Sequence, residues 1–361
     1  YTMLDFLIIG GGIAGISSAA RLSSLGKCLI LEREQNLSYH TSGRSAALYE
    51  ENYGSQSTIA LAKASRQDFD NLLSGVLSPR GFMLLCLRGE ETQYETDLEH
   101  MSLTEISMTE AVDMVPILNQ NDVLRAAISK TAQDIDTDMM IQSFARLFRA
   151  NGGQIETNQT VRSIKKGSDG WQVDTHQDCF MTKTLINAAG AWGDEVAKMA
   201  NIPEVGLTPM RRSVARIAPP ANLEVRKWPM LFGPGERWYA KPDAGGLIVS
   251  LAEETPSAPM DAWAHDIDLA EALARYQDYV TEPVTRPIAS WAGLRTFAPD
   301  RNLVLGPAQK DSSFIWAVGQ GGYGFFTAPA ASQFIADVAT GQQPNFEPEI
   351  ISDLSPSRFD A

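Results

Sequence analysis

Side chains that bind metals or form disulfides are scarce in this sequence. Its 361 residues contain four histidines and three cysteines. No two histidines stand four residues apart and no CxxC occurs, so we expect no metal site. The odd number and wide spacing of the cysteines favour reduced thiols and a cytoplasmic location.

Basic charge and long apolar runs are scarce as well. Lys and Arg number 30 against 44 Asp and Glu, a formal net charge of −14, which disfavours nucleic acid as a partner because its phosphates would be repelled. No apolar run reaches the roughly 18 residues of a transmembrane segment. The G-x-S-x-G and P-loop motifs are absent. A chain of this length is expected to form two domains.

The N-terminal region carries a strand–turn–helix–strand motif. It contains an apolar run, a G-x-G-x-x-G turn, a helical stretch, a second apolar run and an acid: Phe6–Ile9, Gly10–Gly15, Ile16–Leu25, Cys28–Leu31 and Glu32. Apolar runs of this kind are typical of parallel strands that are buried on both faces. The five parts, in register within about 30 residues, predict a dinucleotide-binding unit.

Each part of this motif has a physical role. Gly10 permits the tight turn, Gly12 lets the backbone approach a pyrophosphate, and Gly15 lets helix and strand pack closely. The helix N-terminus offers N–H groups and partial positive charge to phosphates. Glu32 would accept hydrogen bonds from a ribose diol and would repel the 2′-phosphate of NADP.

Small residues follow predicted strands at two further places, Asn187–Asp194 and Gly319–Gly324. Ligands of doubly wound sheets lie at the carboxyl ends of the strands, so the three turns are expected to converge on one long cofactor. The β-like segments of 209–255 predict an inserted domain that roofs the site. Helices are predicted over 61–75, 108–114, Met139–Ala150 (after a Thr137-Asp138 cap), 268–280 and 328–340.

Five ordered motifs give nearly the whole chain a resemblance to the flavin-dependent D-amino-acid oxidase and glycine oxidase family. They are Gly10–Glu32, Ser42–Ala46, Asn187–Trp192, Gly293–Phe297 with Pro299-Asp300, and Gly319–Gly324. Within the family, the segments that look most like the bacterial D-arginine dehydrogenase branch are Ser42–Ala47, Lys241–Gly245 and Gln320–Gly324.

The resemblance implies an α/β fold with an α+β insert. A glutathione-reductase-like, FAD-binding Rossmann domain would comprise 1–80, 135–205 and 290–361. A β-rich substrate-binding domain would comprise 81–134 and 206–289.

The resemblance also implies contacts with non-covalent FAD. Glu32 would hold the adenosine ribose, and Arg33 and the backbone of Val161 would lie by the adenine. Around the pyrophosphate would be Gly10, Gly12, Ile13, Ala14 and Gly15. Along the diphosphate and ring would run Ser42, Gly43, Arg44, Ser45, Ala46, Ala47 and Leu48. The channel would be lined by Ala188, Ala189, Gly190 and Trp192, and the pyrimidine carbonyls would meet Gly321, Gly322, Tyr323, Gly324 and Phe325.

A substrate carboxylate needs a planar cationic partner, which arginine supplies. Arg295 matches a carboxylate-binding arginine of the resembling family, and Arg212 matches a second carboxylate-facing arginine of the D-arginine dehydrogenase branch. Tyr53 and Tyr239 match tyrosines of its substrate pocket, and Gly322 is placed with them. Structural pairing of the arginines and simple aromatic packing of the tyrosines are the alternative interpretations.

Two positions depart from the arginine-active relatives, which carry polar or acidic side chains where this chain has Leu48 and Gly81-Phe82. An apolar Phe82 cannot pair with a guanidinium, and a buried unpaired cation is costly. We therefore expect a neutral, apolar substrate side chain in preference to D-arginine or D-lysine. Glu50 either contacts an amine or is merely exposed.

The resemblance implies an enzyme that oxidises the Cα–N bond of a D-amino acid by hydride transfer to flavin N5. Water would convert the imino acid to a 2-oxo acid and ammonia. Oxygen, a quinone or a dye-like carrier remain open as electron acceptors. One alternative is a glycine- or sarcosine-type secondary-amine oxidase. Others are a 2-hydroxy-acid dehydrogenase, which would require a histidine base such as His40, and an FAD subunit of a larger complex.

Overall fold

The computed structural model describes residues 3–220, 223–284 and 286–359. These residues contain three β-sheets. The strands, in chain order, are β1 (Met3–Ile9), β2 (Cys28–Leu31), β3 (Leu48–Tyr49), β4 (Leu77–Pro79), β5 (Phe82–Leu87), β6 (Thr104–Ile106), β7 (Val123–Ser129), β8 (Gln133–Ile135), β9 (Gln154–Glu156), β10 (Val161–Lys166), β11 (Trp171–Thr175), β12 (Cys179–Asn187), β13 (Thr208–Ile217), β14 (Met230–Phe232), β15 (Tyr239–Asp243), β16 (Gly246–Ser250), β17 (Thr255–Pro256), β18 (Ala289–Phe297), β19 (Val304–Pro307) and β20 (Phe314–Val318). The helices are α1 (Ile13–Leu22), α2 (Gln56–Asn71), α3 (Glu91–His100), α4 (Met108–Met114), α5 (Thr137–Ala150), α6 (Gly193–Met199), α7 (Asp266–Tyr279), α8 (Gly324–Ala339) and α9 (Pro348–Leu354).

The first sheet is parallel around β1. On one side β1 pairs with β2, which pairs with β9; on the other it pairs with β12, which pairs with β20. Both faces are buried, because Ile8 packs among residues of α1, α5 and α8 while the neighbouring Leu7 packs with residues of α6. This two-sided burial explains the unbroken apolar runs of β1 and β2.

The second sheet is antiparallel except where β14 pairs with β5. One face is covered by α4 and α7. The other face carries Phe82, Phe232 and Tyr239. It packs against Ala46, which lies in the loop before β3, and against Leu48, the first residue of β3. This face therefore meets the loop that the sequence analysis placed along the cofactor.

We propose that the chain divides into the two predicted domains, and the membership of the sheets supports this division. The strands of the first sheet come from 1–80, 135–205 and 290–361, and those of the second come mainly from 81–134 and 206–289. The boundary at 290 divides β18, which pairs with β13 along its whole length. We therefore place β18 with the substrate side.

Several boundaries differ from the predicted ones. Helix α1 begins at Ile13, immediately after the glycine turn. Helix α5 is capped by Asp136, whose Oδ1 accepts the Met139 N–H at 2.8 Å, and not by Thr137-Asp138. Helix α3 escaped prediction because Tyr94 is its only fully buried residue, which leaves no apolar period to detect. Within the described residues, no helix combines the length and apolar character needed to cross a bilayer.

Candidate active site

Three cavities adjoin one another beside the carboxyl ends of β1, β12 and β20. We name each cavity after a residue that lines that cavity and neither of the others: the Glu32 cavity, the Gly321 cavity and the Phe82 cavity. The first two share Gly12, Thr41, Ser42, Ala188 and Gly190. The last two share Ser45, Ala46, Ala47, Leu48, Tyr239, Arg295, Gly322 and Phe326. The shared walls indicate one long site for a long ligand.

Glu32 faces the first cavity from the end of β2. Its Oε2 accepts the Gly11 N–H at 2.7 Å and its Oε1 accepts the Glu34 N–H at 2.9 Å. Burial raises the pKa of this carboxyl group above its ordinary value. Each oxygen of a carboxylate can accept about two hydrogen bonds, so both oxygens keep a free acceptor site for a diol.

The glycine turn brings α1 against β1. Gly10 has a φ of +107°, and a Cβ there would clash with the carbonyl oxygen of Ala188. A Cβ on Gly15 would clash with the carbonyl oxygen of Gly10. The N-cap of α1, Gly12, has no side chain to cap the helix, although Ser42 Oγ accepts the Ile13 N–H at 3.0 Å. The positive end of α1 therefore lies at the first two cavities.

The far end of the Glu32 cavity contains unpaired polar atoms. Ser38 Oγ and His40 Nδ1 are buried without a hydrogen-bond partner among the described residues. The Trp192 ring lies 4.8 Å from the His40 ring, and the guanidinium of Arg33 lies 4.6 Å from the Trp192 centroid. Unpaired buried polar groups are rare in native proteins, so these atoms fit a site that holds the polar, aromatic end of a cofactor.

The loop from Ser42 to Leu48 is tied to the second sheet through Arg44. The Arg44 guanidinium donates to the carbonyl oxygens of Ala262 and Ala292 at 2.9 and 3.0 Å and to Asp261 at 2.6 Å. Its charge is thus engaged within the protein while the loop lines the Gly321 cavity.

Most residues that the sequence analysis singled out lie on these walls. The Glu32 cavity is lined by Gly10, Gly12, Glu32, Arg33, Ser42, Val161, Ala188, Ala189, Gly190 and Trp192. The Gly321 cavity adds Ile13, Ala14, Arg44, Ser45, Ala46, Ala47, Leu48, Arg212, Tyr239, Arg295, Gly321, Gly322, Gly324 and Phe325. Tyr53 lines the Phe82 cavity. In the described structure, three of the residues line none of these cavities: Gly15, Gly43 and Tyr323.

Arg295 and Arg212 reach the Gly321 cavity from the paired strands β18 and β13. Among the described residues, the Arg295 side chain has no hydrogen-bond or ion-pair partner. Arg212 donates to the Ala252 carbonyl oxygen at 2.9 Å and lies 3.5 Å from Glu254. Burial lowers the pKa of Arg212, and the positive charge of Arg295 lowers it further. Arg212 is buried and Arg295 is half-buried, so the two side chains bring neighbouring positive charges to one cavity. Such a pair is suited to binding an anion.

The Phe82 cavity has mainly apolar walls. Phe82 and Phe232 stack with centroids 3.9 Å apart and planes 6° apart, and Met101 and Met230 also line the cavity. Tyr53 donates its hydroxyl hydrogen to Glu236 at 2.9 Å. Sequence reasoning missed four of the residues that line this cavity, Met101, Met230, Phe232 and Glu236, because they lie outside every recognised motif.

Two open questions from the sequence are answered by the structure. Glu50 is only 6% exposed, so the alternative that Glu50 is simply a solvent-exposed side chain is wrong. His40 lies at the Glu32 cavity with Nε2 3.0 Å from Glu34. All four histidines are within the described residues, and none lines the Gly321 or Phe82 cavity. No cluster of three or more potential metal ligands occurs in that part of the chain.

The glycine turn, the acid after β2 and the long shared site define a dinucleotide-binding α/β enzyme. The chain belongs to the DAO family, whose model, described as FAD dependent oxidoreductase, matches residues 5–338. FAD is therefore the cofactor that this site is expected to hold, and the predicted fold class is confirmed.

Known proteins resemble the chain at low identity. Human mitochondrial dimethylglycine dehydrogenase is 24% identical over 387 residues, which cover 98% of this chain and 44% of that protein. The chain thus spans less than half the length of that relative. Glycine oxidase of Pseudomonas aeruginosa is 24% identical, with 95% of this chain and 96% of that protein covered. The crystal structure of L-proline dehydrogenase from P. horikoshii superimposes with a TM-score of 0.86 at 20% identity, covering 99% and 98% of the two chains, which shows a common fold.

Proposed function

We propose that this chain oxidises the Cα–N bond of an amino acid and that it prefers D-amino acids with neutral, largely apolar side chains. The observation that carries the proposal is the position of Arg295. Its guanidinium, which has no hydrogen-bond or ion-pair partner in the described part of the chain, lies where the Gly321 cavity meets the mainly apolar Phe82 cavity. An amino acid held there by its carboxylate would direct its Cα toward one cavity and its side chain toward the other.

FAD, when bound, supplies the two-electron acceptor for this oxidation. We assign the Glu32 cavity to its adenosine part, with Glu32 as the ribose acceptor and Arg33 and Trp192 by the adenine. We assign the Gly321 cavity to its flavin part. The N-terminus of α8, which begins at Gly324 and has no side-chain cap, would direct N–H groups toward the pyrimidine carbonyls, where negative charge develops on reduction.

The protein's own contribution is orientation and electrostatics. Arg295 binds the carboxylate as a planar fork, and Arg212 adds a second positive charge. Tyr239 and Tyr53 form walls of the site that we assign to the substrate. Burial raises the pKa of the Tyr53 hydroxyl, so this group stays protonated and acts as a hydrogen-bond donor. No strong general base is required when the amine binds neutral, because its lone pair forms the imine. Fixing the reacting carbon in one position removes much of the entropic barrier.

The preference for a neutral side chain follows from the walls of the Phe82 cavity. The stacked Phe82 and Phe232 rings and the Met101 and Met230 side chains would contact the body of a substrate side chain. The two carboxyl groups that also line the cavity, Glu50 and Glu236, already accept hydroxyl hydrogens from Ser129 and Tyr53. The preference for the D configuration is supported by the resemblance of three segments, Ser42–Ala47, Lys241–Gly245 and Gln320–Gly324, to the D-arginine dehydrogenase branch.

Two alternatives stand beside this proposal. The similarity to glycine oxidase of Pseudomonas aeruginosa favours a glycine- or sarcosine-type activity as the first. The second is an FAD subunit that passes electrons onward in a larger complex. A 2-hydroxy-acid dehydrogenase is disfavoured, because the base it would require is missing from the described walls: no histidine lines the Gly321 or Phe82 cavity.

The test is anaerobic bleaching of the visible flavin band of the purified chain. The panel contains D- and L-leucine, D- and L-methionine, D- and L-phenylalanine, D-arginine, glycine, sarcosine and 2-hydroxy acids. Fast bleaching by the apolar D-amino acids is expected. Bleaching by glycine or sarcosine alone would support the first alternative, and bleaching by 2-hydroxy acids alone would overturn the amine assignment. Turnover with an artificial dye separates an independent enzyme from a dependent subunit.

A further inference from the structure

Glu50 is a buried carboxyl group that lines the Phe82 cavity. Its Oε2 accepts the Ser129 hydroxyl hydrogen at 2.8 Å, and its Oε1 accepts the Asn52 N–H at 3.3 Å. Among the described residues, no Lys, Arg or His nitrogen lies within 4.0 Å of it. Both oxygens therefore act as acceptors and keep capacity for another donor.

The placement of Glu50 puts it away from the cofactor. Leu48 lines both the Gly321 and Phe82 cavities, whereas Glu50 lines only the latter. Tyr49, between them, points the other way and packs against Phe69 with ring centroids 5.2 Å apart. Leu48 and Glu50 thus share a face, with Glu50 on the side that holds the substrate side chain.

We propose that Glu50 recognises a hydrogen-bond donor at the far end of an otherwise apolar substrate side chain. The proposal rests on the proposed function for the identity of the substrate as an amino acid. The aromatic and methionine walls contact the body of the side chain, and Glu50 accepts a hydrogen bond from its tip. A phenol hydroxyl and an indole N–H are the neutral groups with this donor chemistry, and an ammonium group is the charged one that the lysine pair tests.

The physical reason is the cost of leaving a buried acceptor without enough donors. A carboxyl group in apolar surroundings is unfavourable unless hydrogen bonds or a cation compensate for lost water. A substrate with a donor at its tip supplies that compensation, whereas its analogue without the donor leaves Glu50 underpaired. Sites of this kind discriminate strongly against the analogue that lacks the donor.

The test compares substrates that differ only at the tip: D-tyrosine with D-phenylalanine, and D-lysine with D-norleucine. We expect wild-type kcat/KM to favour the donor member of at least one pair by about tenfold or more. The tyrosine pair reports a neutral donor and the lysine pair a cation. Glu50→Gln should reduce the ratio several-fold. Glu51→Gln is the matched control, because Glu51 bonds to the Tyr49 hydroxyl at 3.0 Å and does not line the cavity.

A binding measurement separates this inference from the proposed function. 3-Phenylpropanoate and 3-(4-hydroxyphenyl)propanoate carry the carboxylate but no amine, and each is titrated by its shift of the flavin spectrum. Tighter binding of the hydroxylated acid that is lost in Glu50→Gln supports Glu50 recognition even if no amino acid is oxidised. Equal use of both members of each substrate pair, or a donor preference unchanged in Glu50→Gln, overturns it. If Glu50→Gln does not fold, the wild-type pairs still decide.

Discussion

The guanidinium of Arg295 lies directly against Gly322, and a Cβ on Gly322 would stand 2.7 Å from Nη1 and 2.9 Å from Cζ. The two residues come from β18 and from the turn before α8, so they meet only in the folded chain. The absence of a side chain at Gly322 thus permits the position of the arginine that we assign to the substrate carboxylate.

Gly322→Ala should displace the Arg295 guanidinium and weaken substrate binding. A hydrogen bond to a charged group is worth about 1.5–3 kcal/mol, so kcat/KM should fall by roughly ten- to a hundredfold. Gly167→Ala is the control, since a Cβ there would meet only the Gly170 oxygen at 3.8 Å. FAD content at the wild-type level shows that the loss is confined to the substrate. An unchanged kcat/KM in Gly322→Ala would contradict this role for Arg295.

Arg212 and Arg211 offer a matched comparison on β13. Arg212 lines the Gly321 cavity, whereas Arg211 lies 3.5 Å from Asp268 of α7. Arg212→Met should lower kcat/KM by about tenfold or more, because a buried cation near the carboxylate is lost. Arg211→Met should leave kcat/KM nearly unchanged. Steady-state kinetics on the best substrate of the panel decide, and equal losses in both variants would indicate a structural role only.

Glu32→Gln should weaken FAD binding. The carboxylate accepts N–H groups from both Gly11 and Glu34, and an amide side chain has only one oxygen to offer. One N–H and the ribose diol would lose an acceptor, which raises the Kd for FAD by about tenfold. Glu156→Gln is the control, since Glu156 is exposed on the neighbouring strand β9. Quenching of FAD fluorescence on titration with apoprotein measures both constants.

The same residue predicts a pH dependence of apoprotein stability. Burial raises the pKa of Glu32, so the folded chain holds this proton more tightly than the unfolded chain. The contribution to stability is fully present below the ordinary pKa of the group and is lost as pH rises through its raised value in the folded state. Thermal melts of wild-type and Glu32→Gln apoprotein should show that wild-type stability, relative to the variant, declines across this window. A difference that is constant with pH would contradict the shift.

Thiol reactivity tests the packing of the cysteines. Burial raises the pKa of Cys28 to about 12 and that of Cys86 to about 11, whereas Cys179 is partly exposed. Desolvation and Asp174 also raise the pKa of Cys179, so its advantage is its exposure. At pH 8 a thiol reagent should therefore label Cys179 faster than Cys28 or Cys86 in the native protein. All three should react after unfolding. Rapid native labelling of Cys28, identified by mass spectrometry, would contradict its burial in the first sheet.

Local sequence patterns sufficed for the parts of this protein that short-range sterics dictate. The apolar run of β1, the glycines of the following turn and Glu32 predicted a dinucleotide-binding unit, and the match to the FAD-dependent oxidoreductase family confirmed its cofactor class. Helix α4 was predicted with its actual bounds. Helix α3 was not, because a helix that buries only Tyr94 leaves no periodic signal.

The sequence by itself determined the cofactor motif, the order of the small-residue turns and the two arginines as candidates for an anion site. Only the tertiary structure decided that Arg295 meets Gly322 at the junction of two cavities, that Glu50 is buried and that Phe232 stacks on Phe82. The reason is that strand alternation and glycine geometry are properties of a few consecutive residues. The Phe82 cavity, in contrast, depends on the parallel pairing of β14 with β5, which joins segments about 150 residues apart and leaves no mark in either segment alone.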